Sequence, residues 1–169
     1  MSRSVDEHRA EAPPVVRCAV ITISDTRTLE TDRGGQTIVD RLTAAGHTIA
    51  DRQITSDDPA QIGRILTALN ERTDIDAILL TGGTGIGSRD QTFETVGSLL
   101  SKPLPGYGEL FRMLSYEQVG AAAMLSRAIG ALMGRKVLLT MPGSVAAVEL
   151  AMDKLILPEL GHLVREARR

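Results

Sequence analysis

The sequence predicts a three-layer α/β/α sandwich with a mostly parallel central sheet. Three observations carry this: continuous apolar runs at residues 15–24 and 77–81, segments of helical period around them, and a glycine cluster directly after the second run. Strands of a parallel sheet are covered on both faces, so they read as unbroken apolar runs rather than alternating ones. Strands that alternate with helices over 169 residues build a domain of this class, with enough chain for one sizeable core.

Residues 15–24 are apolar and β-branched, with only Arg17 charged, as a strand buried on both faces requires. Residues 25–33 are polar and read as a loop. From Gln36 the period turns helical, with Ile38, Leu42 and Ala45 on one face and Gly46 available as a left-handed cap. Residues 47–54 form a weaker strand nearer an edge. Asp58 reads as the N-cap of a second helix, Pro59 suits its first turn, and Ile62, Ile65, Leu66 and Leu69 make its apolar stripe. Residues 77–81 are the central strand. A third helix is expected after Asp90 through Phe93, Val96, Leu99 and Leu100, until Pro103 and Pro105 break the chain. Residues 109–119 look helical and 137–141 form another strand. Pro142-Gly143 then leads into a helix carrying Val145, Val148, Met152 and Leu155. The polar stretch 1–14 is expected to be a flexible tail, leaving 15–169 as a single domain.

Composition narrows the function. A net charge of −2 and only four aromatic residues argue against a nucleic-acid partner. No apolar run approaches the roughly 20 residues that span a bilayer, and residues 1–14 hold no signal-like stretch, so a cytoplasmic protein is expected. Cys18 sits in an apolar strand and reads as a small core residue. His8, His47 and His162 lack the spacing of a zinc site.

In sheets of this class ligands bind beyond the carboxyl ends of the strands. Gly82, Gly83, Gly85 and Gly87 leave backbone amides unshielded there, as close approach of an anionic oxygen requires. Neither the dinucleotide pattern nor the P-loop pattern fits, because Ser88 stands where the former needs glycine and no Gly-Lys-Ser/Thr follows. Asp90 follows the loop and is either a magnesium ligand beside bound phosphates or a helix cap. With Asp58 capping the second helix, Asp57 is left to point toward ligand. Ser24 and Asp25 close the first strand at the same edge and either bind ligand or shape a turn. Ser126-Arg127 and Pro142-Gly143-Ser144 are equally open, Ser144 being an ordinary cap in the plainer account.

Taken together, Ile23-Ser24-Asp25, Thr81-Gly82-Gly83-Thr84-Gly85, Arg89-Asp90, Pro105-Gly106-Tyr107-Gly108-Glu109, Leu125-Ser126-Arg127 and Met141-Pro142-Gly143 resemble the MoaB/MogA family of molybdenum cofactor biosynthesis proteins. Residues 106–120 look closer to the MoaB branch. The resemblance implies magnesium-dependent adenylylation of molybdopterin by ATP, with Asp57 and Asp90 around magnesium and the ATP phosphates. It implies that Gly82, Gly83, Thr84, Gly85, Ser126, Pro142 and Gly143 line the pterin and phosphate pocket, with Glu109 a weaker correspondence. Ser56 stands where the family's active branch commonly has proline. A non-catalytic pterin carrier of the same fold is the alternative. The family also implies a homotrimer, or a hexamer of two trimers. The apolar residues Leu110, Phe111, Met113, Leu114, Tyr116, Val119, Met124, Leu125 and Ile129, with Leu132 nearby, are too many for one side of a short surface helix, so they form either an interface or a helix buried within one chain.

Overall fold

The computed structural model describes residues 9–88 and 90–169. In chain order the elements are β1 (Arg17–Ile23), α1 (Arg33–Ala44), β2 (Thr48–Thr55), α2 (Pro59–Glu71), β3 (Ala77–Thr81), α3 (Thr92–Gly97), β4 (Lys102–Leu104), α4 (Pro105–Val119), a 3₁₀ turn (Gly120–Leu125), β5 (Gly130–Met133), β6 (Lys136–Met141), α5 (Val145–Ala151), a π turn (Met152–Ile156) and α6 (Leu157–Arg168). They form one six-stranded sheet in the order β2-β1-β3-β6-β5-β4. The β2-β1-β3-β6 half is parallel, and β5 and β4 close the other edge antiparallel.

Alternation along the strands divides the core between the two faces. Cys18, Val20, Ala77, Leu79, Val137 and Leu139 pack against α1, α5 and α6. Ala19, Ile21, Ile78, Leu80 and Leu138 pack against α2 and the start of the α3 layer. Each of these leucines and isoleucines is fully enclosed, and such burial contributes about 1.5–3 kcal/mol per side chain. Burial also pushes the Cys18 thiol up to about 12, which leaves it the inert core residue its sequence context implies.

Asp58 accepts a hydrogen bond from the Ala60 amide at 2.9 Å and caps α2, with Pro59 at the first helical position. Gly46 takes φ +83°, the left-handed conformation expected after α1. Three features depart from the sequence expectations. Helix α3 stops at Gly97, so Leu99 and Leu100 lie beyond it and pack on the core as a connecting turn. Pro105 begins α4 instead of ending a helix, because the first turn needs no donor there. Strands β4 and β5 were not anticipated. Pro103 is tolerated in β4 because that strand is the sheet edge.

Of the expected tail, residues 1–8 lie outside the described residues. Arg9 pairs with Glu159 and Glu11 with Arg165, which sets this segment against α6. No helix among the described residues is long and apolar enough to cross a membrane.

At the pole opposite the strand carboxyl ends, Asp76 ties α6 to the sheet. Its side chain is 5% exposed and accepts from Arg17 Nη2 at 2.7 Å, from Arg17 Nε at 3.0 Å and from Arg168 Nη2 at 2.6 Å. Burial opposes its ionisation, but the hydrogen bonds from Arg17 and Arg168 outweigh that and hold the carboxyl well below the usual carboxylate range. A depressed carboxylate stabilises the fold fully above its ordinary pKa near 4, and the contribution fades as pH falls through and below that value. Asp76→Asn is therefore expected to cost about 2 kcal/mol at pH 7, the half-exposed arginines keeping the loss below that of a fully buried pair. Thermal melts at pH 7 and pH 3 check this: the gap between variant and wild type should shrink at the lower pH.

Candidate functional site

Strands β1, β3 and β6 end side by side, and their loops are bound to one another. The Gly82 amide donates to Met141 O at 3.0 Å, and Thr81 Oγ1 donates to Pro142 O at 3.1 Å. Gly82 takes φ +100°, and a Cβ there would lie 2.3 Å from Ile23 O, so only glycine lets β3 turn this close to β1. Beneath the turn lies a cavity of about 290 Å³, walled by Thr22, Ser24, Arg27, Asp32, Gly34, Gly82, Gly143 and Ser144 among others. Ser24, Gly82, Gly143 and Ser144 were anticipated from sequence. Ser144 caps α5 through the Ala147 amide at 3.3 Å, and Ser24 Oγ accepts from the amides of Thr26 and Arg27 at 3.3 and 3.2 Å. Both therefore shape the wall as well as face the cavity.

The far wall is the start of α1, which the sequence reading missed. Asp32 is buried, accepting from Thr22 Oγ1 at 2.7 Å and from the Gly35 amide at 2.9 Å. A Cβ on Gly34 would lie 3.2 Å from Gly143 O, so this glycine brings the helix start against the β6 loop. The adjacent Gly34-Gly35 pair was the available signal. Arg27 and Arg33 put positive charge on the rim of the cavity, which suits an anionic ligand.

Beyond Gly82 the glycine loop runs between two carboxylates. A Cβ on Gly83 would lie 3.2 Å from Asp57 Oδ1, and one on Gly85 would lie 2.7 Å from Asp90 Oδ2. The bare backbone at these glycines is the space that brings both acids against the loop. Asp57 Oδ1 accepts from the Gln91 amide at 3.3 Å, and Asp25 Oδ1 accepts from the Asp57 amide at 3.3 Å, linking the loops after β1, β2 and β3. Asp90 Oδ2 accepts from the Gly87 amide at 2.8 Å. Thr92 Oγ1 and Ser56 Oγ are buried in this region without a hydrogen-bond partner among the described residues. Thr84 is buried, and its carbonyl accepts from the Arg127 amide at 3.2 Å.

Arg127 reaches this loop with its side chain, donating to the carbonyls of Gly85 and Asp90. Ser126 beside it is occupied locally: its carbonyl accepts from Arg112 at 3.4 Å and its hydroxyl from the Ala128 amide at 3.4 Å. Glu109 is not brought to the same place. It lines a separate cavity of about 360 Å³ with Phe93, Pro103 and Arg112. Pro142 contributes its carbonyl to the Thr81 bond, and Arg89 lies outside the described residues.

Residues 19–162 match the family model described as a probable molybdopterin binding domain. The chain belongs to the MoaB/MogA family of molybdenum cofactor biosynthesis proteins. It is 54% identical to molybdenum cofactor biosynthesis protein B of Bacillus anthracis over 98% of this chain and 99% of that one. The corresponding protein of Bacillus subtilis is 52% identical over 98% of each chain. Among solved structures, the tungsten cofactor synthesizing protein MoaB from Pyrococcus furiosus superposes with a TM-score of 0.84 at 33% identity, covering 94% of this chain and all of that one. A crystal structure of a molybdenum cofactor biosynthesis protein B reaches a TM-score of 0.90 at 53% identity, covering 94% and 99%.

Among the described residues no group of three or more His, Cys, Asp or Glu is placed to hold a metal ion. Magnesium, however, takes one or two carboxylates and completes its shell with water and phosphate oxygens. Asp57 and Asp90 against a glycine cradle, with an orphaned Thr92 hydroxyl beside it, fit that donor set.

Proposed function

We propose that the chain acts in the cytoplasm in molybdenum cofactor biosynthesis, transferring AMP from ATP to the terminal phosphate of molybdopterin. In this reaction a pterin phosphate oxygen attacks the α-phosphorus of ATP. A new P–O–P bond forms, the bond between the α-phosphorus and the bridging oxygen breaks, and pyrophosphate leaves. The nucleophile is already an anion near neutral pH, so no general base or nucleophilic triad is required. Positioning and charge neutralisation carry such a transfer.

The observation that carries this reading is the placement of Asp57 and Asp90 against the glycine loop, which continues from Gly82 in the wall of the cavity rimmed by Arg27 and Arg33. The arginines would draw in the polyanionic substrates, and the exposed loop amides would fix the phosphates. Asp57 and Asp90 would hold magnesium, which when bound neutralises charge on the reacting phosphates and on the departing pyrophosphate. Thr22, Asp32 and Gly34 would shape the enclosed part of the site. Incubating the purified protein with ATP, magnesium and molybdopterin tests the proposal through release of pyrophosphate and formation of adenylated pterin. Pterin binding with no turnover would favour the carrier reading, for which the bond from the Gly87 amide to Asp90 is the supporting observation, since it makes Asp90 a loop cap.

The assembly proposed with this function is a homotrimer, or a hexamer of two trimers. Of the expected patch, Phe111 is buried and Leu114, Ile129 and Leu132 pack on the core, whereas Leu110, Met113, Tyr116, Val119, Met124 and Leu125 are exposed along α4 and the turn after it. An apolar face of this extent is unusual on a monomer. Light scattering at micromolar concentration should give a trimer or a multiple of it. A single monomeric species would refute the assembly.

A further inference from the structure

We propose that Arg127 is a positioning residue that fixes the glycine loop and Asp90, not a group that touches substrate. The inference rests on the reading of Asp90 as serving AMP transfer. Arg127 enters from the segment after the 3₁₀ turn and spends every side-chain nitrogen within the chain. Nε donates to Gly85 O at 2.7 Å, Nη2 donates to Asp90 O at 2.7 Å, and Nη1 pairs with Glu94. The guanidinium carbon lies 5.2 Å from the centroid of the Phe93 ring, so one face is covered as well. Hydrogen bonding to Arg127 holds the Glu94 carboxyl below its ordinary range, which keeps that counter-charge ionised.

One planar group thus grips the loop at Gly85 and again at Asp90, and between them the Gly87 amide donates to the Asp90 carboxylate. The Arg127 amide adds a third hold, on Thr84 O. With Gly85 O and Asp90 O pinned, the Asp90 carboxylate has few directions in which to stray from the loop. Lysine offers a single nitrogen and cannot span two carbonyls and a carboxylate in a fixed fork. A small displacement of a reacting group is enough to cost about 10²-fold in rate.

Arg127→Lys and Glu94→Gln test the assignment, with two independent readouts. The first is amide hydrogen exchange: in Arg127→Lys the Gly87 and Asp90 amides should exchange about tenfold faster or more, while amides of β3 keep their protection. The second is kinetic: kcat should fall about 10²-fold with KM for ATP and molybdopterin changed less than about threefold. Glu94→Gln, which leaves both carbonyl bonds in place, should shift both readouts in the same direction by less. Unchanged exchange at Gly87 and Asp90 would overturn the proposal. So would a raised KM with kcat preserved, because that is the mark of a substrate contact. If the wild-type protein itself transfers no AMP, the proposed reaction fails and the exchange measurement alone decides the role of Arg127.

Discussion

Asp90→Asn is expected to lower kcat for AMP transfer about 10³-fold or more while the fold and pterin binding persist. The substitution is nearly isosteric, and the amide oxygen of asparagine can still accept from the Gly87 amide, now 2.8 Å from Asp90 Oδ2. The loop cap therefore survives in large part, and the neutral acceptor costs the loop about 1 kcal/mol. What is lost is one of the two negative charges that face the glycine cradle. A carboxylate that would hold magnesium against the reacting phosphates, where the metal's charge neutralises them in the transition state, affects kcat more than ground-state affinity. Steady-state kinetics across a magnesium titration, with thermal melts alongside, separate the two accounts. Transfer at the wild-type rate would mean that Asp90 is a cap and nothing more.

The parts of this fold legible in sequence are those fixed by local pattern. Strands β3 and β6 are buried throughout and β1 is buried everywhere beyond Arg17, so their residues form near-continuous apolar runs. The Asp58-Pro59 cap and Gly46 announce helix ends by chemistry that needs no tertiary partner. Strands β4 and β5 were invisible because Lys102-Pro103-Leu104 and Gly130-Ala131-Leu132-Met133 are short, and their pairing depends on each other and on β6. The site divides the same way. Its glycines and acids stand out as residue types at a strand end, whereas Thr22, Asp32 and Gly34 join it only because α1 packs back across β1. Arg127 was recognisable as a residue of interest, but its partners lie 42 and 37 positions away at Gly85 and Asp90, and no local pattern encodes that grip.

Gly83→Val is expected to reduce molybdopterin affinity at least about 100-fold, because two independent constraints meet at this residue. Its φ is +62°, a conformation that costs a β-branched residue roughly 1–3 kcal/mol. A Cβ would also lie 2.1 Å from Thr92 Oγ1, well inside contact distance. Thr92 is fully buried, and its amide donates to Gly83 O at 3.3 Å, so it cannot yield without moving the start of α3. That shift would reach Gln91, whose amide holds Asp57 Oδ1, and so separate the acid from the loop. The sheet itself should survive, since its core clusters do not include Gly83. Gly85→Ala is the gentler companion: it lacks a positive φ, and its Cβ would press on the Asp90 carboxylate, with Oδ2 at 2.7 Å, and not on backbone. It should fold normally and still weaken binding. Gly97→Ala, where a Cβ meets nothing within 4 Å, should leave affinity unchanged. Isothermal titration with molybdopterin on all three, with circular dichroism as the folding check, decides the matter. Wild-type affinity in a folded Gly83 or Gly85 variant would reduce the loop to a turn and move the ligand elsewhere.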